Sequence, residues 1–329
     1  MNKQRVYIRG TGSYAPEKIL TNADLEKMVD TTDEWIVTRS GIRERHISSD
    51  DQATSDMASP AALRACEAAG VEPKDLDAIV VGTATSDRLF PSTAVVVQAN
   101  IGAVNAAAFD VSAACSGFIY GLSVGKALLH DGQAKTVLVI GAETLTKVTD
   151  WTDRSSCVLF GDGSGAVVLQ MTDEEDRGIL SLNTGSDGRL QELLFQPAGG
   201  SRMPASHETV DRRLHTIKME GREVYKHAVT CMSEAAQKAL DDAGYAGPDL
   251  DWLFPHQANI RIMEAVAKRI RVPRERVFVN LDRYGNTSAA SIPIALDEAV
   301  RGGHCGPGSL IELVAFGAGF TWAAAMVRL

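Results

Sequence analysis

The chain has 329 residues, 45% of them hydrophobic and 23% charged, with a formal net charge of −9. This length suits two domains or one large duplicated unit, with enough apolar residues for a sizeable core beneath a soluble surface. The acidic balance argues against bulk binding of nucleic acid or anionic membrane, and no apolar run is long enough to span a bilayer.

The first predicted element is the strand VYIRG (6–10), entered directly from MNKQ with no signal-peptide apolar stretch. The next residues, GTGSYA (10–15), imitate the dinucleotide fingerprint G-x-G-x-x-A. Pro16 and the polar segment behind it do not continue as a nucleotide-binding helix, so an oxidoreductase is not expected. An Ala-rich amphipathic helix with a Gly stop and a turn follows in AALRACEAAGVEPKDLD (61–77), and then the strand AIVVG. DVSAACSGFIYGLSVGKAL (110–128) runs from a short apolar strand through small residues into a helical pattern. A helix near ALLHDG leads to the strand TVLVIGAE, and GDGSGAVVLQ (161–170) reads as a Gly-rich turn into another strand. The charged, turn-rich TDEEDRG (172–178) marks a boundary. Residues 185–216 have weak periodicity and read as a long loop or flap beside a site.

The pattern then recurs. AAQKALDDAGYAGPDLD (235–251) aligns without a gap to 61–77, with eight identities in seventeen positions, and leads to the strand-like WLFPHQAN. A helix near DEAVRGG leads to LIELVAFGAG, as ALLHDG leads to TVLVIGAE. Eight matches favour duplication over the chance likeness of two Ala-rich α/β units. The expectation is an α/β fold of two similar halves, 1–172 and 173–329, with buried sheets.

Five cysteines (Cys66, Cys115, Cys157, Cys231, Cys305) are dispersed, odd in number and without a C-x-x-C pair. A disulfide scaffold or zinc site is therefore not expected, and a reducing cytoplasm is the natural setting. Cys115 differs from the rest because it sits where a strand turns into a helix, among Ala113, Ala114, Ser116 and Gly117. Unpaired N–H groups at a helix N-terminus favour the nucleophilic thiolate. His256 ends a strand in the second copy of the repeat, at the edge where α/β folds build sites. Asn286 lies in YGNTSAAS, whose composition by itself suits an ordinary turn. Cys, His and Asn on three turns make a plausible covalent acyl-transfer set.

Six segments in order, TTDEWIVTRSGIRERHI (31–47), DVSAACSGF (110–118), FGDGSGA (160–166), PHQANIRI (255–262), GNTSAAS (285–291) and FGAGFTWA (316–323), resemble the β-ketoacyl-[acyl-carrier-protein] synthase III family. The resemblance implies the thiolase fold, two similar halves stacked in five layers, α-β-α-β-α, and a homodimer. It implies that Cys115 takes an acyl group from acyl-CoA, with acetyl-CoA as the expected primer. Malonyl-[acyl carrier protein] then decarboxylates, and its enolate, held by His256 and Asn286, attacks the acyl-Cys115. The backbone N–H groups of Cys115 and Ala318 would hold the oxyanion, provided φ at Ala318 is negative, since glycine often occupies that position. No metal, flavin or nicotinamide cofactor is implied.

By the same resemblance Trp35, Arg39 and Arg154 bind the CoA nucleotide, the indole stacking on adenine and Arg39 reaching phosphate from the same helical face. Gln257, Ala258, Asn259, Ile260, Arg261, Lys268 and Arg269, with Lys226, form the docking surface for the acidic carrier protein. Phe90 reaches across the dimer to close the acyl pocket. The plainer alternatives are a solvated helix face for the basic residues, helix packing for Trp35 and core packing for Phe90. Two other functional readings stay open: a ketosynthase or acyltransferase of secondary metabolism with a different primer, and a dimeric scaffold whose site has decayed.

Overall fold

The computed structural model describes residues 5–329. In chain order the first part holds β1 (Arg5–Tyr14), β2 (Lys18–Thr21), α1 (Asn22–Leu25), α2 (Asp33–Ser40), β3 (Glu44–Ile47) and α3 (Thr54–Ala69). It continues with β4 (Ala78–Gly82), α4 (Thr93–Ile101), β5 (Ala107–Val111), α5 (Gly117–His130), β6 (Val137–Thr144) and β7 (Asp162–Thr172). The second part holds β8 (Gly178–Ser186), β9 (Leu194–Phe195), α6 (His207–Asp211), β10 (Lys218–Met219), α7 (Gly221–Ala243) and β11 (Trp252–Pro255). It ends with α8 (Ile260–Arg269), α9 (Leu281–Tyr284), α10 (Ser291–Arg301), β12 (Leu310–Gly317) and β13 (Thr321–Arg328).

Two mixed sheets result, ordered β1-β7-β6-β4-β5 and β8-β13-β12-β11. Their orders correspond strand for strand, and a bridge from Leu253 to Val277 stands where β5 stands in the first sheet. The two copies of the Ala-rich repeat occupy equivalent places. Each helix ends on a left-handed glycine (Gly70, φ 61°; Gly244, φ 77°), passes a short 3-10 turn and enters a strand paired in parallel with its neighbour.

Side-chain alternation along the strands explains the layering. Ile79, Val81, Leu138 and Ile140 face outward onto α3 and α4. Val80, Val137 and Val139 face inward onto Phe118 and Leu122 of α5 and Leu296 of α10. The second sheet meets the same central helices with Ile311, Leu313 and Ala325, and turns Val314, Ala324 and Met326 onto α7 and α8. The order is α-β-α-β-α, as the resemblance implies. Strands covered on both faces read as continuous apolar runs, and fully burying each Leu, Ile or Val contributes roughly 1.5–3 kcal/mol. Residues 10–14 of the GTGSYA segment belong to β1, not to a nucleotide-binding turn. A Cβ at Gly12 would stand 2.4 Å from Ala65 N, so this glycine lets the Ala-faced α3 lie backbone to backbone on the strand.

Candidate active site

Cys115 lies in the 3-10 turn Ala114–Ser116 between β5 and α5. Ala114 before it has φ 45°, a left-handed conformation that costs a non-glycine residue about 1–3 kcal/mol and is sustained only by surrounding packing. The end of β12 supplies some of that packing. A Cβ on Gly317 would stand 2.6 Å from Cys115 N, so the bare Gly317 backbone lies directly against the turn. Ala318 follows, half-exposed and outside the left-handed region, so its backbone meets the condition set by the sequence.

Cys115 is half-buried and faces the cavity. Burial pushes its thiol up to about 12, the Ser288 hydroxyl acts downward, and the carboxyl group of Glu143 acts upward. Burial thus acts against the thiolate that a helix N-terminus would favour. Cys66, Cys157 and Cys305 are buried and Cys231 is half-buried, all in ordinary core or helix positions.

His256 follows β11, and its N–H donates to Val314 O at 2.8 Å, which ties the loop to β12. Its Nδ1 lies 2.7 Å from Ser291 Oγ at the start of α10, and burial lowers its pKa to about 4. The imidazole is therefore neutral at physiological pH. Asn286 is fixed through its backbone: its N–H donates to Leu159 O (2.8 Å) and its carbonyl accepts from Gly161 N (3.0 Å). Its Oδ1 accepts from Ser288 N at 2.9 Å, which leaves the amide nitrogen as the free end of the side chain.

Cys115, His256 and Asn286, drawn from both parts of the chain, line one cavity of about 560 Å³. Trp35, Arg39, Ala258, Asn259 and Arg261 line it too. Thr32 caps α2 by accepting from Trp35 N, and the Arg39 guanidinium lies 4.8 Å from the Trp35 ring centre. Arg154 lies outside the lining but places its guanidinium 5.1 Å from the same ring, anchored on Asp30 O at 2.7 Å. Leu194 and Met219 also line the cavity, so β9, within the 185–216 stretch, and its partner β10 border the site.

The docking residues divide. Arg261, Lys226, Lys268 and Arg269 are exposed, with Arg261 stacked 5.8 Å over Tyr225 and Lys226 3.7 Å from Glu223. Asn259 caps α8 by accepting from Arg261 N and donates to Arg39 O at 2.9 Å, while Ile260 packs against Gly41. Gln257 does not belong on a docking surface. It is 1% exposed, donates to Pro255 O (2.8 Å) and Phe278 O (3.1 Å), and accepts from Asn280 N (3.0 Å). It pins the loop that carries His256. Phe90 is 83% exposed and outside the cavity lining of its own chain.

Residue-by-residue reading missed several neighbours. Arg222 and Tyr225 on α7 line the cavity mouth, and Ser288 and Glu143 stand behind Cys115. The signal for Glu143 was a single carboxylate ending the otherwise apolar VLVIGA. Among the described residues, no three His, Cys, Asp or Glu side chains are grouped to hold a metal ion, and no helix is long and apolar enough to cross a membrane.

Comparison with known proteins bears on the family and the fold. Residues 109–188 match the family model 3-oxoacyl-[acyl-carrier-protein] synthase III, and residues 240–329 match the model of its C-terminal part. A β-ketoacyl-[acyl-carrier-protein] synthase III of Caldanaerobacter subterraneus is 58% identical, covering 98% of this chain and 97% of the relative. One from Xanthomonas axonopodis is 54% identical over 99% of both. The crystal structure of a 3-oxoacyl-[acyl-carrier-protein] synthase III from Aquifex aeolicus superposes with a TM-score of 0.91 at 47% identity, covering 98% of this chain and all of that one. By fold and near full-length identity, the chain belongs to the β-ketoacyl-[acyl-carrier-protein] synthase III family.

Proposed function

We propose that Cys115, His256 and Asn286 carry the two half-reactions of this condensing acyltransferase, with acetyl-CoA as primer. The enzyme joins an acyl-CoA to malonyl-[acyl carrier protein], the step that initiates fatty acid synthesis. Relatives at 54–58% identity favour this reading over one in secondary metabolism. In the first stage the Cys115 sulfur attacks the thioester carbonyl and CoA departs. The N–H groups of Cys115 and Ala318 hold the oxyanion, and a donor of this kind is typically worth on the order of 10²–10³ in rate.

In the second stage the C–CO2 bond of the malonyl thioester breaks and its electron pair enters an enolate. The proposal takes the tautomer in which Ser291 Oγ–H donates to His256 Nδ1 across their 2.7 Å contact, which leaves Nε2–H as a donor toward the enolate oxygen. The Asn286 amide donates beside it, because its oxygen is already engaged by Ser288 N. Both donors are neutral, so neither repels the forming anion. The enolate carbon attacks the acyl-Cys115 carbonyl, and the sulfur leaves with the electron pair. The thioester carbonyl itself accommodates the carbanion, so the proposal needs no metal, flavin or nicotinamide.

Trp35, Arg39 and Arg154 take the CoA nucleotide at the mouth, and the exposed face of Arg261, Lys268, Arg269 and Lys226 docks the acidic carrier protein. Ala258, Asn259 and Ile260 shape the edge of that face. We also propose a homodimer across the free edge of β5, where Leu89, Phe90 and Val104 are each more than three-quarters exposed. Phe90 would then close the partner's acyl pocket. The two halves divide at 172/173, and the free cysteines fit a reducing cytoplasm.

The observation that carries this reading is the convergence of the three residues on one cavity with an aromatic, basic mouth. Its test is reconstitution with acetyl-CoA and malonyl-[acyl carrier protein]. Equal yields of 3-oxobutanoyl-[acyl carrier protein], CoA and CO2 are expected, and Cys115→Ser should yield none. Product formation by the serine variant would overturn the assignment.

A further inference from the structure

We propose that Glu143 is a positioning residue for Asn286: it holds the Ser288 turn, whose N–H sets which end of the Asn286 amide faces the cavity. The proposal rests on the reading of Asn286 as a donor to the enolate.

An amide side chain has a donor end and an acceptor end of nearly equal size. Nitrogen facing the enolate stabilises it, and oxygen facing it repels it. Backbone contacts with Leu159 and Gly161 fix where Asn286 stands but not how its amide is turned. That choice falls to Ser288 N–H, which can only donate and therefore holds Oδ1, at 2.9 Å. Ser288 reaches this position at φ 48°, a left-handed conformation that serine keeps only where its surroundings impose it.

Glu143 supplies that restraint. It ends β6, which lies between β4 and β7 in the first sheet, and it is completely buried. Its Oε1 accepts from Ser288 Oγ at 2.9 Å. Other contacts lock the carboxyl group itself: Thr83 Oγ1 (3.3 Å), Ala84 N (3.1 Å) and Thr85 Oγ1 donate to it from the loop after β4. Thr144 N donates in turn to Thr85 Oγ1 at 2.9 Å, which ties that loop to the strand end. The strand also carries the turn by its backbone. A Cβ on Gly141 would stand 2.1 Å from Ala289 O, so bare β6 backbone lies directly against the turn. One strand thus grips the turn twice, and the Glu143 grip falls on the residue that holds the Asn286 amide.

The carboxyl group acts here as an acceptor. A group placed for its negative charge would oppose the enolate that Asn286 stabilises. The partners of Glu143 are hydroxyls and a backbone N–H, and none of them is a cation. Burial raises Glu143 to about 7, so its charge is weakly held near neutral pH. A neutral acceptor of the same reach should therefore serve. Glutamine is such a group: its carbonyl can take the Ser288 hydroxyl and the Ala84 N–H, and its NH2 can donate to the Thr83 and Thr85 oxygens.

The experiment times the two half-reactions separately. Acylation is read by mass after mixing with acetyl-CoA. CO2 release is read after mixing the acetylated protein with malonyl-[acyl carrier protein] labelled in its free carboxyl group. Losing a donor outright typically costs on the order of 10²–10³ in rate. A misturned donor loses part of that, so Glu143→Ala should slow CO2 release roughly tenfold, with a smaller effect on acylation. Glu143→Gln should recover most of the loss. Beside Asn286→Ala, Glu143→Ala should cost CO2 release nothing further, because the group it positions is gone.

Equal slowing of both stages would overturn the proposal, as would losses from Glu143→Ala and Asn286→Ala that multiply. So would a folded Glu143→Gln as slow as Glu143→Ala, which would assign the effect to charge. Asn286→Ala alone reports on the underlying reading: CO2 release at the wild-type rate would remove that reading, and the proposal with it. If Glu143→Ala does not fold, Ser288→Ala takes its place in the comparison. It cuts the same link but keeps Glu143 and the backbone N–H on Asn286, and the same slowing, with no further loss beside Asn286→Ala, is expected.

Discussion

Gly317→Ala should disable acylation without unfolding the protein. The new Cβ would stand 2.6 Å from Cys115 N, 3.1 Å from Ala114 Cβ and 3.2 Å from Ala113 O. Ordinary contact begins at 3.4 Å, so strand and turn must separate by 3.4 − 2.6, about 0.8 Å. The nearest atom is backbone and cannot rotate aside. Gly317 itself is outside the left-handed region, so alanine adds no dihedral strain and the effect is steric. Overpacking of this kind typically costs about 1–3 kcal/mol. A shift approaching 1 Å in a reacting group can cost on the order of 10²-fold in rate. The displaced atom is the N–H proposed to hold the oxyanion. Single-turnover acylation from acetyl-CoA, quenched and read by mass, should therefore slow roughly 10²-fold, with a modest fall in Tm. Gly188→Ala, whose Cβ would meet nothing within 4 Å, is the control and should change neither. A folded Gly317→Ala protein that acylates at the wild-type rate would refute the claim that β12 fixes the nucleophile.

His256→Ala and Asn286→Ala should each slow CO2 release on the order of 10²–10³-fold and affect acyl-Cys115 formation less. Separate timing of the two stages checks this, and loss of the first stage alone would reverse the assigned roles. Arg261→Glu with Lys268→Glu should raise KM for malonyl-[acyl carrier protein] at low salt, spare acetyl-CoA loading, and lose its effect as ionic strength rises. Unchanged carrier-protein kinetics at low salt would show that this face is only solvated surface. Glu312 is fully buried in β12 with both carboxyl oxygens unpartnered, and desolvation raises its pKa well above the ordinary 4.5. The unfolded chain releases this proton above pH 4.5 and the folded chain retains it, so the residue's contribution to stability falls as pH rises. Glu312→Gln removes that dependence. Its stability relative to wild type should improve by about 1.4 kcal/mol per pH unit above pH 5 in denaturant titrations, and parallel curves would contradict this.

Much of the architecture was legible because it rests on periodic features. The Ala-rich repeat became α3 and α7, stacked on the outer faces of equivalent sheets, since a helix faced with alanine packs close to a strand whether or not its partners are known. Cys115 and His256 were legible because strand-to-helix turns put side chains at a sheet edge. Asn286 was not legible from local composition, and its role depends on Leu159 and Gly161, more than 120 residues earlier, which grip its backbone. The surroundings of the Cys115 thiol were not legible for a related reason. Helix position is local, whereas the packing around the thiol and the nearby Glu143 come from β12, β6 and the turn before α10. Gln257 was misplaced because its sequence neighbours face the cavity, while its own amide turns inward to hold Asn280. Glu312 reads as one polar position in an apolar strand, and its burial follows only from the second sheet being covered on both sides.

The central claim is that Cys115 carries the acyl group. The most direct measurement is peptide mass spectrometry of the purified protein after incubation with acetyl-CoA alone. The account predicts one acetyl adduct per chain, on the peptide containing Cys115, discharged on addition of malonyl-[acyl carrier protein]. An adduct on Cys66, Cys157, Cys231 or Cys305, or condensation without any adduct, would contradict it.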